Sequence, residues 1–330
     1  MAEPDTTTSN VSSTAPTTVA PTTTTSSSAT TSTTTLVPWV PAPPLALDGD
    51  GVPLNGQADG VVLTTTGWVV PVLDAVGDIR RVWTPCGRET LITSGEFVGE
   101  VDFVLDPGHG GAEEPGAVGP GGTREADLNL AVARRVRDAL EADGHTVMMT
   151  RDSDVRVPIV TRAEIALALD PIAFISIHHN AGTEAVSSEP GTEMFFQLES
   201  TDSKRLAGLI FEETRAFLDP LGSTWFAMED AGAMGRASQS GGDYYGVLRR
   251  PAAVTSVLAE FAYIVNPVEE ELLNRPEVQD GLAEAVRSAV ERFVDTDDAG
   301  SGYTEDPIFR GWGPTGAGRT TNCTDPALES

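Results

Sequence analysis

Four side chains in this 330-residue chain have the type and setting for hydrolytic chemistry: His109, Glu125, one of the pair His178-His179, and Glu260. His109 lies in LDPGHGG (105–111), where the apolar run VDFVL ends abruptly in a glycine-rich turn. Glu125 opens the amphipathic stretch that follows, ADLNLAVARRVRDALEADG. A second apolar run, AFISI, ends in His178-His179-Asn180, and a third, VTSVLAE, ends in Glu260. Two neutral imidazoles and one carboxylate suit Zn2+ and leave a fourth position for water. A second carboxylate, Glu260, can then act as general base and acid, which completes a zinc hydrolase. His178 and His179 are adjacent, so on a strand they face opposite sides and only one can be a ligand. Periodicity does not choose between them. Of the chain's four histidines, His145 begins a strand at the opposite edge and reads as exposed. Glu260 also has a structural reading, because a carboxylate buried among apolar residues needs a partner, and Arg249 or Arg250 could supply one.

The elements that must position these groups alternate in type. Residues 126–142 read as a helix, with Leu128, Val132, Val136 and Leu140 on one face and Gly144 as the stop signal. Strands are expected at 145–151, 173–179, 191–197 and 254–265, and further helices at 158–169, 203–218, 268–274 and 277–294. This alternation predicts an α/β fold: a mostly parallel sheet flanked by helices on both faces. Parallel strands bring their C-terminal ends to one edge, and in such sheets that edge is where sites form. Residues 219–245 read as irregular and glycine-rich, a substrate-side insert or lid, whose Tyr244 and Tyr245 suit either substrate contact or core packing. Residues 60–104 read as a small β region. Its Trp68 and Trp83 could stack on sugar, although their apolar area favours burial.

Composition sets the compartment. The formal net charge of −28 argues against nucleic acid and anionic membrane surfaces as partners. No apolar run is long enough to span a bilayer, and the start carries no signal peptide. Residues 6–36 are nevertheless almost entirely Ser and Thr with interspersed Ala, Val and Pro, the composition of a disordered exported stalk. The expected setting is therefore extracellular or in the cell envelope, with the natural leader or anchor removed. Cys86 and Cys323, an even pair without metal-site spacing, then predict one disulfide that ties the tail to the segment before His109. The expected organisation is a stalk (1–45), a small β segment packed on the catalytic domain (46–100), the catalytic domain (101–294) and a tail (295–330).

At these same residues the chain resembles the zinc-dependent N-acetylmuramoyl-L-alanine amidases of type 3. The resemblance spans roughly 101–294 and rests on LDPGHGG, Glu125 with DLNLA, TR near Asp154, Arg162, SIHHNA (176–181), GTEMFF (191–196) and VLAEF with Asn266. It implies His109, Glu125 and His178 as zinc ligands and Glu260 as the catalytic acid/base. It also implies the reaction: hydrolysis of the amide between N-acetylmuramic acid and the L-alanine of the stem peptide in bacterial peptidoglycan. Asn180, beside the ligand, is a candidate for substrate hydrogen bonding or for a structural turn, and an activator protein is a candidate partner. Ala262, Val265, Ala166 and Leu167 depart from the family's pattern. Two other readings stand beside this one: a non-catalytic or regulated wall-binding module on the same fold, and a zinc peptidase cutting within the stem peptide.

Overall fold

The computed structural model describes residues 46, 56–181, 191–221, 232–239, 241–304, 308–309 and 323–330. The expected stalk and residues 222–231 and 240 of the expected insert lie outside the described residues. Five short strands come first: β1 (Val61–Leu63), β2 (Val69–Val76), β3 (Ile79–Trp83), β4 (Glu89–Ile92) and β5 (Glu96–Val98). They pair antiparallel in the order β4-β3-β2-β1-β5. Gly77, at positive φ, opens the tight Gly77-Asp78 turn between β2 and β3. Val62, Val70, Val72, Val82 and Ile92 fill one small core, and Leu328 from the C-terminal end joins it. Trp83 is fully buried against Val160, and Trp68 is half-buried at the margin of that small core.

The larger sheet follows. Its elements are β6 (Phe103–Pro107), α1 (Glu125–Ala142), β7 (Val147–Met149), α2 (Ile159–Leu169), β8 (Ala173–Asn180), β9 (Glu193–Phe196), α3 (Thr201–Leu218), β10 (Gly232–Ala237), α4 (Gly246–Arg249), β11 (Ser256–Tyr263), α5 (Pro267–Leu273), α6 (Pro276–Asp295) and β12 (Ile308–Phe309). The strand order is β12-β10-β9-β11-β8-β6-β7. Alternate residues divide between two cores. Phe103, Leu105, Ile175, Ile177, Val257 and Ala259 face α1, α3 and α6, where Leu128, Val132, Val136 and Leu140 are buried as their spacing predicts. Val104, Phe174, Phe195 and Leu258 face α2 and α4, and Val61 and Val69 of the small sheet join that second core. Both faces are thus covered, which is why these strands read as continuous apolar runs rather than alternating ones.

The larger sheet is mostly parallel, as expected, with one exception: β9 runs antiparallel to β11, while β9, β10 and β12 are parallel to one another. The chain re-enters the sheet at the edge it has just left, so the start of β9 joins the ends of β8 and β11. The stretch 219–245 is not irregular throughout, because GAMGRA forms the buried strand β10, where small residues pack against β9. His145 is not freely exposed: it is half-buried, with its ring edge-on to Phe103 at a centroid distance of 5.0 Å.

The tail is tied back as the cysteine pair predicts. Cys86 and Cys323 form a disulfide across a sequence separation of 237. Around it, the Cys86 N–H and the Arg88 guanidinium both donate to Asp325, and Glu329 accepts from the backbone N–H groups of Thr93 and Ser94. Closing so long a loop constrains the unfolded chain, so a Cys86→Ser/Cys323→Ser double variant should lose about 2–4 kcal/mol of stability. Denaturant titration of both proteins checks this, and coincident midpoints would show that the clamp adds nothing.

Helix α5 holds a pH-sensitive group just beyond the end of β11. Asn266 caps it by accepting from the N–H groups of Val268 and Glu269. Glu269 itself is buried, and burial pushes its carboxyl up to about 8 although it accepts the Tyr263 N–H. A raised acid favours folding in its protonated form. The stabilisation is therefore fully present below the unfolded value near 4.5 and is lost as pH rises towards 8. Glu269→Gln should flatten this slope and make the protein more stable than wild type at pH above about 8, by up to roughly 4 kcal/mol. Melting curves across that window decide the matter, and parallel pH profiles for the two proteins would rule it out.

Candidate metal centre and catalytic cleft

The centre is built on a rigid backbone turn. Asp106 near the end of β6 is fully buried, accepting from Thr150 Oγ1, Ser176 Oγ and the Arg162 guanidinium at 2.6–2.7 Å. Burial alone would raise this carboxyl, but the Arg162 charge and the three hydrogen bonds outweigh it and hold it below the usual range. Arg162 also donates to the carbonyls of Pro107 and His109 at 2.7 Å, and Arg151 donates to those of Pro107 and Gly108. This clamp holds His109 at φ 59°, a left-handed conformation that a side-chain-bearing residue adopts only under constraint. Gly108 has no room for a side chain, since a Cβ there would lie 2.0 Å from Nε2 of His178.

Glu125, the first residue of α1, lies between two imidazoles. Its Oε2 is 3.2 Å from His109 Nε2, and its Oε1 is 2.9 Å from His178 Nδ1. It also accepts the Ala117 N–H and an Asn129 amide hydrogen. Burial would raise this carboxyl, yet the contacts with His109 and His178 drive it well below the usual carboxylate range. His178 moves down because burial outweighs the attraction of Glu125. An ionised carboxylate and a neutral imidazole are the forms in which these groups ligate a cation. The ligand atoms of His109, Glu125 and His178 all lie within 4.8 Å of one another, so the donor set fits a single metal ion. His179 points to the other side of β8. Its Nδ1 is 2.8 Å from Asn129 Oδ1, its ring lies near Phe261, and burial lowers its pKa to about 4.

Glu260 on β11 pairs in register with His178 of β8 on one side and with Glu193 of β9 on the other. Its Oε2 is buried without a hydrogen-bond partner. Burial, reinforced by the charges of Glu125 and Glu193 and only partly offset by Arg236, raises its carboxyl well above the usual range. The cation that acts on it is therefore Arg236 of β10, not the Arg249 or Arg250 considered from sequence. Arg249 donates to the carbonyls of Asp243 and Tyr244. A register irregularity follows between Glu260 and Tyr263, where Ala262 is fully buried.

Sequence reasoning missed Glu193 and Arg236. Glu193 is the first residue of β9, a carboxylate at the start of the apolar run MFF, whereas Glu260 ends its run. The reversed direction of β9 hid its place. Asn180 donates to Glu193 Oε2, so part of its amide is engaged within the protein. Tyr245 packs against Phe195 and accepts from Arg236, and Tyr244 lies under the same guanidinium at 4.3 Å. In front of these groups opens a cleft of about 690 Å³ whose walls include His109, Glu114, Arg156, His178, Tyr245 and Glu260.

An α/β sheet whose strand ends gather two imidazoles, a carboxylate and a second, buried glutamate has the arrangement of a metal-dependent hydrolase. The chain belongs to the type 3 N-acetylmuramoyl-L-alanine amidase family, whose model matches residues 103–292. It is 30% identical to the N-acetylmuramoyl-L-alanine amidase AmiC of Neisseria meningitidis, covering 59% of this chain and 53% of that one. It thus spans about half the length of that relative. Among solved structures, an N-acetylmuramoyl-L-alanine amidase from Clostridium difficile superposes with a TM-score of 0.51 at 25% identity, covering 61% of this chain and 100% of that one. The CwlD amidase from Clostridioides difficile, solved in complex with the GerS lipoprotein, gives 0.50 at 26% identity, covering 58% and 97%. Among the described residues, no helix is long and apolar enough to cross a membrane.

Proposed function

We propose that this chain is an exported zinc amidase that hydrolyses the bond between N-acetylmuramic acid and L-alanine in peptidoglycan. The observation that carries the reading is the convergence of His109, Glu125 and His178 beside Glu260 in one cleft, on a chain of this family. His109, Glu125 and His178 would hold Zn2+, which when bound supplies Lewis acidity at the scissile carbonyl. Glu260 takes a proton from the attacking water and passes it to the departing nitrogen of L-alanine. The burial and neighbouring carboxylates that raise Glu260 suit a group that must hold a proton and release it. Arg162 and Arg151 keep the His109 turn in place, and the cleft accommodates the lactyl-peptide junction. An activator protein remains part of the proposal, in line with the relative solved with a lipoprotein.

The test is the identity of the new amino terminus after digestion of purified muropeptide, with zinc per chain measured on the same preparation. Free L-alanine termini with near-stoichiometric zinc are expected. An internal residue at the new terminus would make the chain a stem-peptide peptidase. Wall binding by a metal-free chain without turnover would make it a binding module.

A further inference from the structure

We propose that the small N-terminal sheet and the disulfide-tied tail form a saccharide subsite that extends the catalytic cleft along the glycan strand. This rests on the amidase reading for the identity of the polymer. The small sheet lies outside the family match, and the active-site chemistry uses none of it.

A second groove, of about 250 Å³, lies between Trp68 and Pro85 of the small sheet and Thr324 and Pro326 of the tail, with the Cys86–Cys323 disulfide in its wall. Its remaining wall includes Glu113 and Arg156, and these two residues also line the catalytic cleft. The groove thus borders the catalytic cleft across Glu113 and Arg156. A polymer bound with its scissile bond at Glu260 has to extend beyond the cleft, and this groove lies next to it.

The lining fits a sugar better than a peptide. Trp83 is fully buried, but Trp68 is half-buried, so one part of its indole packs on the small core while another lines the groove. An exposed indole surface suits the apolar face of a pyranose ring, and the Glu113 carboxylate, the Arg156 guanidinium and the Thr324 hydroxyl suit its hydroxyl and acetamido groups. An extended peptide would seek a free strand edge, whereas the part of β2 next to Trp68 is paired with β1 and the remainder with β3. The strongly acidic chain also disfavours an acidic peptide more than a sugar ring.

The test uses the full oxidised chain and a peptide-free tetrasaccharide of alternating N-acetylglucosamine and N-acetylmuramic acid, with binding measured by calorimetry. Trp68→Ala should weaken binding about tenfold, the scale of losing one stacked ring, and Trp68→Phe should restore most of it. Thermal melts of both variants establish that they are folded. Equal affinity for wild type and a folded Trp68→Ala overturns the proposal. So does equal loss in Trp68→Ala and Trp68→Phe, or Trp68-dependent binding of the free stem peptide in place of the tetrasaccharide. Binding needs no turnover, which separates the two readings. If muropeptide yields no L-alanine termini but the tetrasaccharide still binds through Trp68, the amidase reading fails and the subsite stands.

Discussion

Glu260→Gln should lower kcat on muropeptide by about 10²–10⁴-fold while leaving bound metal near the wild-type level. The substitution keeps the size of the side chain and its place between His178 and Glu193, but an amide cannot take a proton from water and return it to an amine. It also removes a charge from a site where Glu125 and Glu193 already repel one, so the folded protein should gain stability or keep it. Three measurements on one preparation, kcat, metal per chain and melting temperature, separate a chemical role from a structural one. A kcat within tenfold of wild type would remove Glu260 from the mechanism. Loss of metal together with kcat would make it a ligand instead.

The second large effect divides the adjacent histidines. His178→Ala removes a donor 2.9 Å from Glu125 and should weaken metal binding by more than about a hundredfold, beyond the usual effect of losing an outer hydrogen-bond partner. His179→Ala removes a fully packed ring that touches Asn129, so it should lower the melting temperature yet leave metal near one per chain. The two variants are expected to fail in opposite ways, one in metal content and the other in stability. Equal metal loss in both would overturn the assignment of His178. Metal analysis after exhaustive dialysis, paired with calorimetric melts, reads both quantities.

Much of this centre is legible before any coordinates. Apolar runs ending in His109, His178 and Glu260 announce buried strands whose ends share an edge, and Leu128, Val132, Val136 and Leu140 announce the helix that Glu125 opens. Strand alternation sends His178 and His179 to opposite sides, as the structure has them, but says nothing about which side holds Glu125. That is a tertiary fact: α1 packs on the face that His179 joins through Asn129, yet Glu125 at its first residue reaches His178 at the sheet edge. The direction of β9 is equally invisible locally, because GTEMFF reads the same in a parallel or an antiparallel strand. With it went Glu193, whose charge helps raise Glu260. β10 escaped because GAMGRA, with two glycines and one arginine, lacks the bulky β-formers that mark a strand. Its small side chains suit close packing against Phe195 and Phe196. Asp106 and Arg162, far apart in sequence, meet as a buried ion pair that no spacing rule would have joined.

The bond between Cys86 and Cys323 makes a ring of nearly everything that carries chemistry. A protease that cuts once between those positions opens the ring without severing it, and the two pieces stay attached through sulfur. Each piece then remains at high effective concentration next to the other, so a nicked chain can hold its strands and its metal ligands together. Under the export proposed above, such damage would be survivable for as long as the surroundings stay oxidising.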